Sequence, residues 1–141
     1  MNYLTYSAYV EIAIAAHKGQ FRRDGKTPYI THVRRVVESF LLIENGLARK
    51  IAWLHDVLED GRITEQELKD KGISFEVMYS IKLLKHFPEE NYVDYIRGIC
   101  VYAPARLVKI ADVLDNLTDD PTPRQVKKYL KALKILIQEH L

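Results

Sequence analysis

The sequence predicts an all-α protein, and three observations carry the prediction. Apolar residues recur at helical spacing along most of the chain, no alternating run of Val, Ile and Thr bounded by turn residues reads as a strand, and glycines, prolines and capping residues fall at helix-length intervals. With 141 residues, 48% hydrophobic and 28% charged, the chain (residues 1–141) reads as one domain able to bury a sizeable core.

The first helix is predicted over residues 5–18, with Tyr9, Ile12, Ala13 and Ala16 on one face and Gly19 as its stop. A polar loop, 20–28, follows. A second helix carries Ile30, Val33, Val37, Phe40 and Leu41 at core spacing and is expected to end at Asn45-Gly46, where a left-handed cap is easy. The third opens at Leu47 and reaches Glu59 or Asp60. Thr64-Glu65-Gln66-Glu67 is a capping-box sequence, so a short fourth helix starts there and stops at Gly72. Ser74 caps a fifth helix that runs to about His86, before Pro88. A sixth spans 92–102 ahead of Pro104, a seventh 105–117, and a last helix follows Pro121 and Pro123 to the end of the chain. Connections of a few residues between such helices suit a compact bundle of about eight.

Composition removes several function classes. The longest unbroken apolar runs, 12–16 and 99–103, are five residues long, far short of the roughly 18 needed to cross a bilayer. The first residues lack a basic stretch leading into an apolar one, so no secretory signal is read and a cytoplasmic location is expected. The single cysteine, Cys100, reads as a packing residue. A net charge of +2 is too small to argue for a nucleic-acid partner.

Local patterns point to chemistry. His55-Asp56-Val57-Leu58-Glu59-Asp60 pairs His55 with Glu59 and Asp56 with Asp60 at four-residue spacing on a helix. Imidazole beside carboxylate at the rim of a core is half of a metal site, and an acidic helix end in solvent is the alternative. Three carboxylates opposing the helix dipole call for something positive nearby, a metal ion or arginines. In the seventh helix, Lys109, Asp112 and Asn116 share a side, which periodicity alone reads as a solvated face. His32, a lone histidine, reads alone as a cap or surface residue. Residues 17–35 carry Lys18, Arg22, Arg23, Lys26, Arg34 and Arg35 against Asp24, a local charge of +5.

Four motifs in order, His-x-Gly-Gln-x-Arg (His17 to Arg22), Pro-Tyr-Ile-x-His (Pro28 to His32), His-Asp-x-x-Glu-Asp (His55 to Asp60) and Arg-x-x-Lys-x-Ala-Asp-x-x-x-Asn-Leu (Arg106 to Leu117), resemble the HD-domain phosphohydrolases. Within them the chain is most similar to the Rel/Spo-type hydrolases of the alarmone (p)ppGpp, in their short stand-alone form. The resemblance implies a compact HD-type helical bundle and a divalent metal, usually manganese, held by His32, His55, Asp56 and Asp112. Two imidazoles and two carboxylates also suit Fe or Zn, and Mg is not excluded. The resemblance further implies that Glu59 and Asp60 position and deprotonate the attacking water, that Arg22, Arg23 and Lys26 meet phosphates, and that Lys109 and Asn116 line a nucleotide pocket. His17 would tie the first helix to the loop. The implied reaction is hydrolysis of the 3′-diphosphate ester of guanosine 3′,5′-bis(diphosphate), or of its 5′-triphosphate relative, to GDP or GTP and pyrophosphate.

Val33 stands where the family commonly has proline, and the region between Glu67 and Ala105 matches less distinctly, with Tyr92, Tyr95 and Arg97 as pocket candidates. No synthetase half is read, nor space for regulatory domains. Two alternatives stay open: an HD phosphohydrolase acting on another nucleotide or phosphate ester, and a non-catalytic nucleotide-binding HD module. A homo-oligomer is compatible with each. Arg124, Lys127, Lys128, Lys131 and Lys134 form a basic stripe on the last helix, read as a charged face in water ahead of a nucleic-acid or acidic-partner surface.

Overall fold

The structure, a computed structural model, describes residues 4–39, 41–59 and 62–138. Phe40, Asp60 and Gly61 lie outside the described residues, as do residues 1–3 and 139–141, on which the predicted end of the last helix falls. Among the described residues there are eight helices: α1 (Tyr6–Ala16), α2 (Tyr29–Val37), α3 (Gly46–Leu54), α4 (Glu65–Asp70), α5 (Phe75–Leu84), α6 (Tyr92–Ile99), α7 (Ala103–Leu117) and α8 (Pro123–Gln138). The fold is all-α, and the one strand-like contact described is an isolated bridge between Phe21 and Pro28.

Local chemistry sets most boundaries. Thr5, Asn45, Thr64, Ser74 and Asn91 each accept a backbone N–H of the first turn they precede. Thr64 and Glu67 complete the reciprocal capping box. Gly19 and Gly72 follow α1 and α4 with φ of +76° and +87°, a left-handed conformation that glycine adopts without a Cβ clash.

Several boundaries differ from the sequence reading, the ends of α2 and α3 for side-chain reasons. The second helix stops at Val37, well before Asn45-Gly46. There Ser39 takes the Leu41 N–H on its hydroxyl at 3.3 Å, and Leu42 and Asn45 then close i→i+3 turns. Asn45 opens α3 in place of ending α2, its side chain accepting from Ala48 at 2.9 Å, and Gly46 is the first residue of α3. The third helix ends at Leu54, because His55 Nδ1 occupies the Ala52 carbonyl at 2.7 Å and the chain continues in i→i+3 turns through Glu59. His55 and Glu59 therefore do not share an α-helical ridge. The sixth helix ends at Ile99, and α7 begins at Ala103 with Pro104 in its first turn, where the missing N–H has no intrahelical partner to lose.

α3 lies at the centre, packed against α1, α2, α5 and α7, and α8 closes over α6 and α7. A central helix must be apolar on most sides, and Ala48, Ile51, Ala52, Trp53 and Leu54 are all buried. Val33 is fully buried in α2, so the residue replacing the family's proline serves the core. The consequence for function is that the end of α3, the start of α2 and the middle of α7 meet at one place.

Candidate metal centre

Each element delivers one part of that meeting point. α2 begins right after Pro28, which places His32 in its first turn. The turn after α3 presents His55 and Asp56, and α7 presents Asp112. One ligand atom from each of His32, His55, Asp56 and Asp112 lies within 4.8 Å of the others. His32 Nε2 is 3.0 Å from Asp112 Oδ1, and His55 Nε2 is 3.0 Å from Asp56 Oδ2 and 3.5 Å from Asp112 Oδ1. Periodicity read Asp112 as solvated and His32 as a cap or surface residue; they are 4% and 0% exposed.

The tautomers decide what the cluster holds. His55 Nδ1 lies 2.7 Å from the Ala52 carbonyl and His32 Nδ1 2.6 Å from the Asp115 carboxylate, and both of those oxygens only accept, so both Nδ1 atoms carry hydrogen. In the neutral ring each Nε2 therefore turns a lone pair toward Asp56 and Asp112. Both Nε2 atoms are buried and make no hydrogen bond. Two lone pairs facing two carboxylates require positive charge between them, either a proton on each ring or a metal ion. Burial pushes both imidazoles down, but the Asp112 and Asp115 carboxylates around His32, and Asp56 with Asp112 around His55, outweigh it and raise both rings above the usual histidine value. Burial likewise pushes Asp112 up, and Lys109 and the two histidines overcome it, keeping the carboxylate ionised. An N2O2 donor set of this kind fits Mn, Fe or Zn.

Supports surround the ligands. Arg35 Nε donates to Asp115 at 2.8 Å, so Arg35, Asp115 and His32 form a chain that fixes the ring. The Tyr29 hydroxyl donates to Asp56 Oδ2. Lys109 Nζ donates to Asp112 Oδ2 at 2.9 Å and Asn116 Nδ2 to Asp112 Oδ1 at 3.1 Å. His17 Nδ1 pairs with Gln20 at 2.7 Å and its ring stacks on Tyr29, which fastens the end of α1 to the loop as the sequence reading expects. Asp115→Ala is expected to weaken divalent-metal binding at the cluster about 10- to 100-fold, read by isothermal titration. An affinity close to the parent's would place the orientation of His32 elsewhere.

A cavity of about 380 Å3 opens beside the cluster, with Asp56, Glu59, His86, Tyr92, Lys109 and Lys128 among its walls. A larger cleft of about 490 Å3 lies between α1 and the start of α4, with no histidine in its lining. Glu59 accepts the His86 backbone N–H at 3.0 Å, and burial together with the nearby Asp56 raises its carboxyl. Asp60 lies outside the described residues. Of the basic loop, Arg22 donates to Asn116 Oδ1 at 2.8 Å and to Asp119 at 2.7 Å, bracing the amide that bonds Asp112. Arg23 donates to Gln125 and to the Asp119 carbonyl, and Lys26 is exposed in a turn built on Asp24. Tyr92 and Tyr95 line the cavity, whereas Arg97 lies on another face beside Lys131 and Lys134. Sequence reasoning gave no role to Tyr29, His86, Asp115 or Tyr129, the last of which also lines the cavity; Tyr29 is a fixed residue of the quoted Pro-Tyr-Ile-x-His motif, and Asp115 lies between Asp112 and Asn116 of another, so those two carried a usable signal.

No family model matches the chain. The guanosine-3′,5′-bis(diphosphate) 3′-pyrophosphohydrolase of Haemophilus influenzae is 32% identical over 117 aligned positions, which take in 75% of this chain and 17% of that protein. The chain thus spans about a sixth of the length of the curated relative it matches. A solved structure of a metazoan SpoT ortholog, described as hydrolysing ppGpp and acting in starvation responses, superposes with a TM-score of 0.75 at 25% identity, covering 96% of this chain and 86% of that one. The chain is similar in sequence and in fold to Rel/Spo-type hydrolases of ppGpp. In this chain the histidine and aspartate cluster stands where α2, α3 and α7 converge, and among the described residues no helix is long and apolar enough to cross a membrane.

Proposed function

We propose that this domain is a metal-dependent phosphohydrolase that removes the 3′-diphosphate of guanosine 3′,5′-bis(diphosphate) or its 5′-triphosphate relative, releasing pyrophosphate and GDP or GTP. The observation that carries the reading is the convergence of His32, His55, Asp56 and Asp112 beside a cavity that also holds Glu59 and two lysines. We assign Mn2+ to the cluster and a cytoplasmic setting to the reaction, where a nucleotide substrate is met. When bound, a divalent cation supplies Lewis acidity toward a phosphoryl oxygen and lowers the pKa of a water.

The chain's own residues do the rest. Asp112, His32, His55 and Asp56 form the cage, held by Asp115, Lys109, Asn116 and Tyr29. Glu59, its carboxyl raised by burial and by Asp56, accepts a proton from the attacking water, with Asp60 as the neighbouring carboxylate. Lys109 offers positive charge where negative charge grows on the phosphate. Arg22 braces Asn116, and Arg23 and Lys26 serve phosphates that project from the cavity mouth. Purified protein with Mn2+ is expected to convert ppGpp to GDP and pyrophosphate in equal amounts, to stop on EDTA and to resume on added Mn2+. Turnover of nucleoside monophosphates alone would refute the alarmone substrate and leave an HD phosphohydrolase of other specificity. Asp56→Ala with ligand binding and biological effect intact would favour a non-catalytic module.

A further inference from the structure

We propose that Lys128 of α8 recognises a second phosphate group of the substrate, the one carried on the other side of the ribose from the ester that is cleaved. The inference rests on the alarmone reading above and adds a determinant of specificity to it. Lys128 lines the same cavity as Asp56, Glu59 and Asp112. Its Nζ sits 4.3 Å from the centroid of the Tyr92 ring and has no carboxylate partner among the described residues. Lys109, the other lysine of the cavity, is already engaged with Asp112 at 2.9 Å and lies over Tyr95 at 5.4 Å. The Tyr95 and Tyr92 rings are neighbours, with centroids 5.8 Å apart. The order Asp112, Lys109, Tyr95, Tyr92, Lys128 therefore places Lys128 two aromatic rings away from the metal ligands.

Such a lysine has positive charge without local compensation. Burial, and then repulsion from Lys109 and Arg124, push its ammonium downward, which is the situation an incoming anion relieves. Stacking on Tyr92 holds the side chain in the cavity at little further entropic cost. A nucleoside with phosphates on both its 3′ and 5′ oxygens places two anions on opposite sides of the sugar. With the scissile one at the metal ligands, the other has Lys128 as its cationic partner; a nucleotide with only a 3′-diphosphate leaves Lys128 unengaged.

The test compares kcat and KM of the parent, Lys128→Gln and Lys128→Arg on ppGpp and on guanosine 3′-diphosphate with a free 5′-hydroxyl, all with Mn2+. Lys128→Gln is expected to raise KM for ppGpp about tenfold, the worth of a charged hydrogen bond, with kcat moving much less. The KM ratio between the two substrates should collapse toward one, and Lys128→Arg should restore it. Equal rises for both substrates, or an unchanged ratio in a parent enzyme that hydrolyses ppGpp, overturn the role of Lys128 alone. A parent that hydrolyses neither guanosine compound overturns the alarmone reading and this inference with it.

Discussion

Asp112→Asn is expected to lose metal binding and hydrolysis together while the protein stays folded. Asp112 Oδ1 faces both imidazole Nε2 atoms, at 3.0 Å and 3.5 Å, so it is the oxygen the two rings share. An amide oxygen at the Oδ1 position keeps the shape and the bond from Asn116, but it sets an NH2 group opposite Lys109 and removes the negative charge a divalent cation needs. Metal charge stabilisation is worth several kcal/mol, so the loss of rate should be about a thousandfold or more. Either removal of the carboxylate, Asp112→Asn or Asp112→Ala, also carries a structural cost. It strands Lys109, whose side chain is only 15% exposed and whose ammonium pairs with that carboxylate at 2.9 Å. Breaking a buried pair by removing one partner costs about 3–5 kcal/mol, visible as a melting temperature lower than the parent's. Metal titration and turnover read the first effect, and calorimetry the second. Retention of parental metal affinity by Asp112→Asn would remove Asp112 from the ligand set.

The same residue shows where sequence was readable and where it was not. Helices with strong local signals were legible to within a few residues: Thr64 with Glu67 opens α4, Gly72 ends it, and Ser74 opens α5. Each of those signals is complete within a few residues, so no tertiary contact has to be known. The ends of α2 and α3 were not legible, since they turn on whether Ser39 and His55 side chains compete for backbone groups. Asp112 was misread by periodicity because the polar side of α7 faces the ends of α2 and α3, not water. A carboxylate tolerates that burial only with Lys109 and two imidazoles beside it, and two of those three come from helices more than fifty residues away in sequence.

The resemblance to HD phosphohydrolases named residues that the structure brings together, yet it was silent on what holds them. Asp115 and Arg35 act on His32 across the α2–α7 contact, and Lys128 reaches Tyr92 across the α6–α8 contact. Such pairs need the packing of particular helix faces, which spacing along one helix does not specify. The basic stripe of α8 shows the limit: periodicity gave all five of its cations to solvent and all five are exposed, yet it could not show that Lys128 alone of them also borders the cavity beside the metal centre.

Glu59→Gln is expected to lower kcat by about 10^2- to 10^4-fold, the usual contribution of a positioned general base, with KM changed little. The substitution isolates the proton-accepting role. Glu59 Oε1 takes the His86 backbone N–H at 3.0 Å, and a glutamine carbonyl oxygen accepts that bond equally, so the loop carrying His86 keeps its anchor. The carboxylate also stands clear of the metal ligand set, so Mn2+ affinity should stay near the parental value. A joint fall in metal affinity and kcat would make Glu59 a structural prop of Asp56. A kcat within about threefold of the parent would pass the role of base to its neighbour Asp60. A large fall in kcat at parental metal affinity is the combination that only a base at Glu59 produces, because neither cage geometry nor the His86 anchor has then changed.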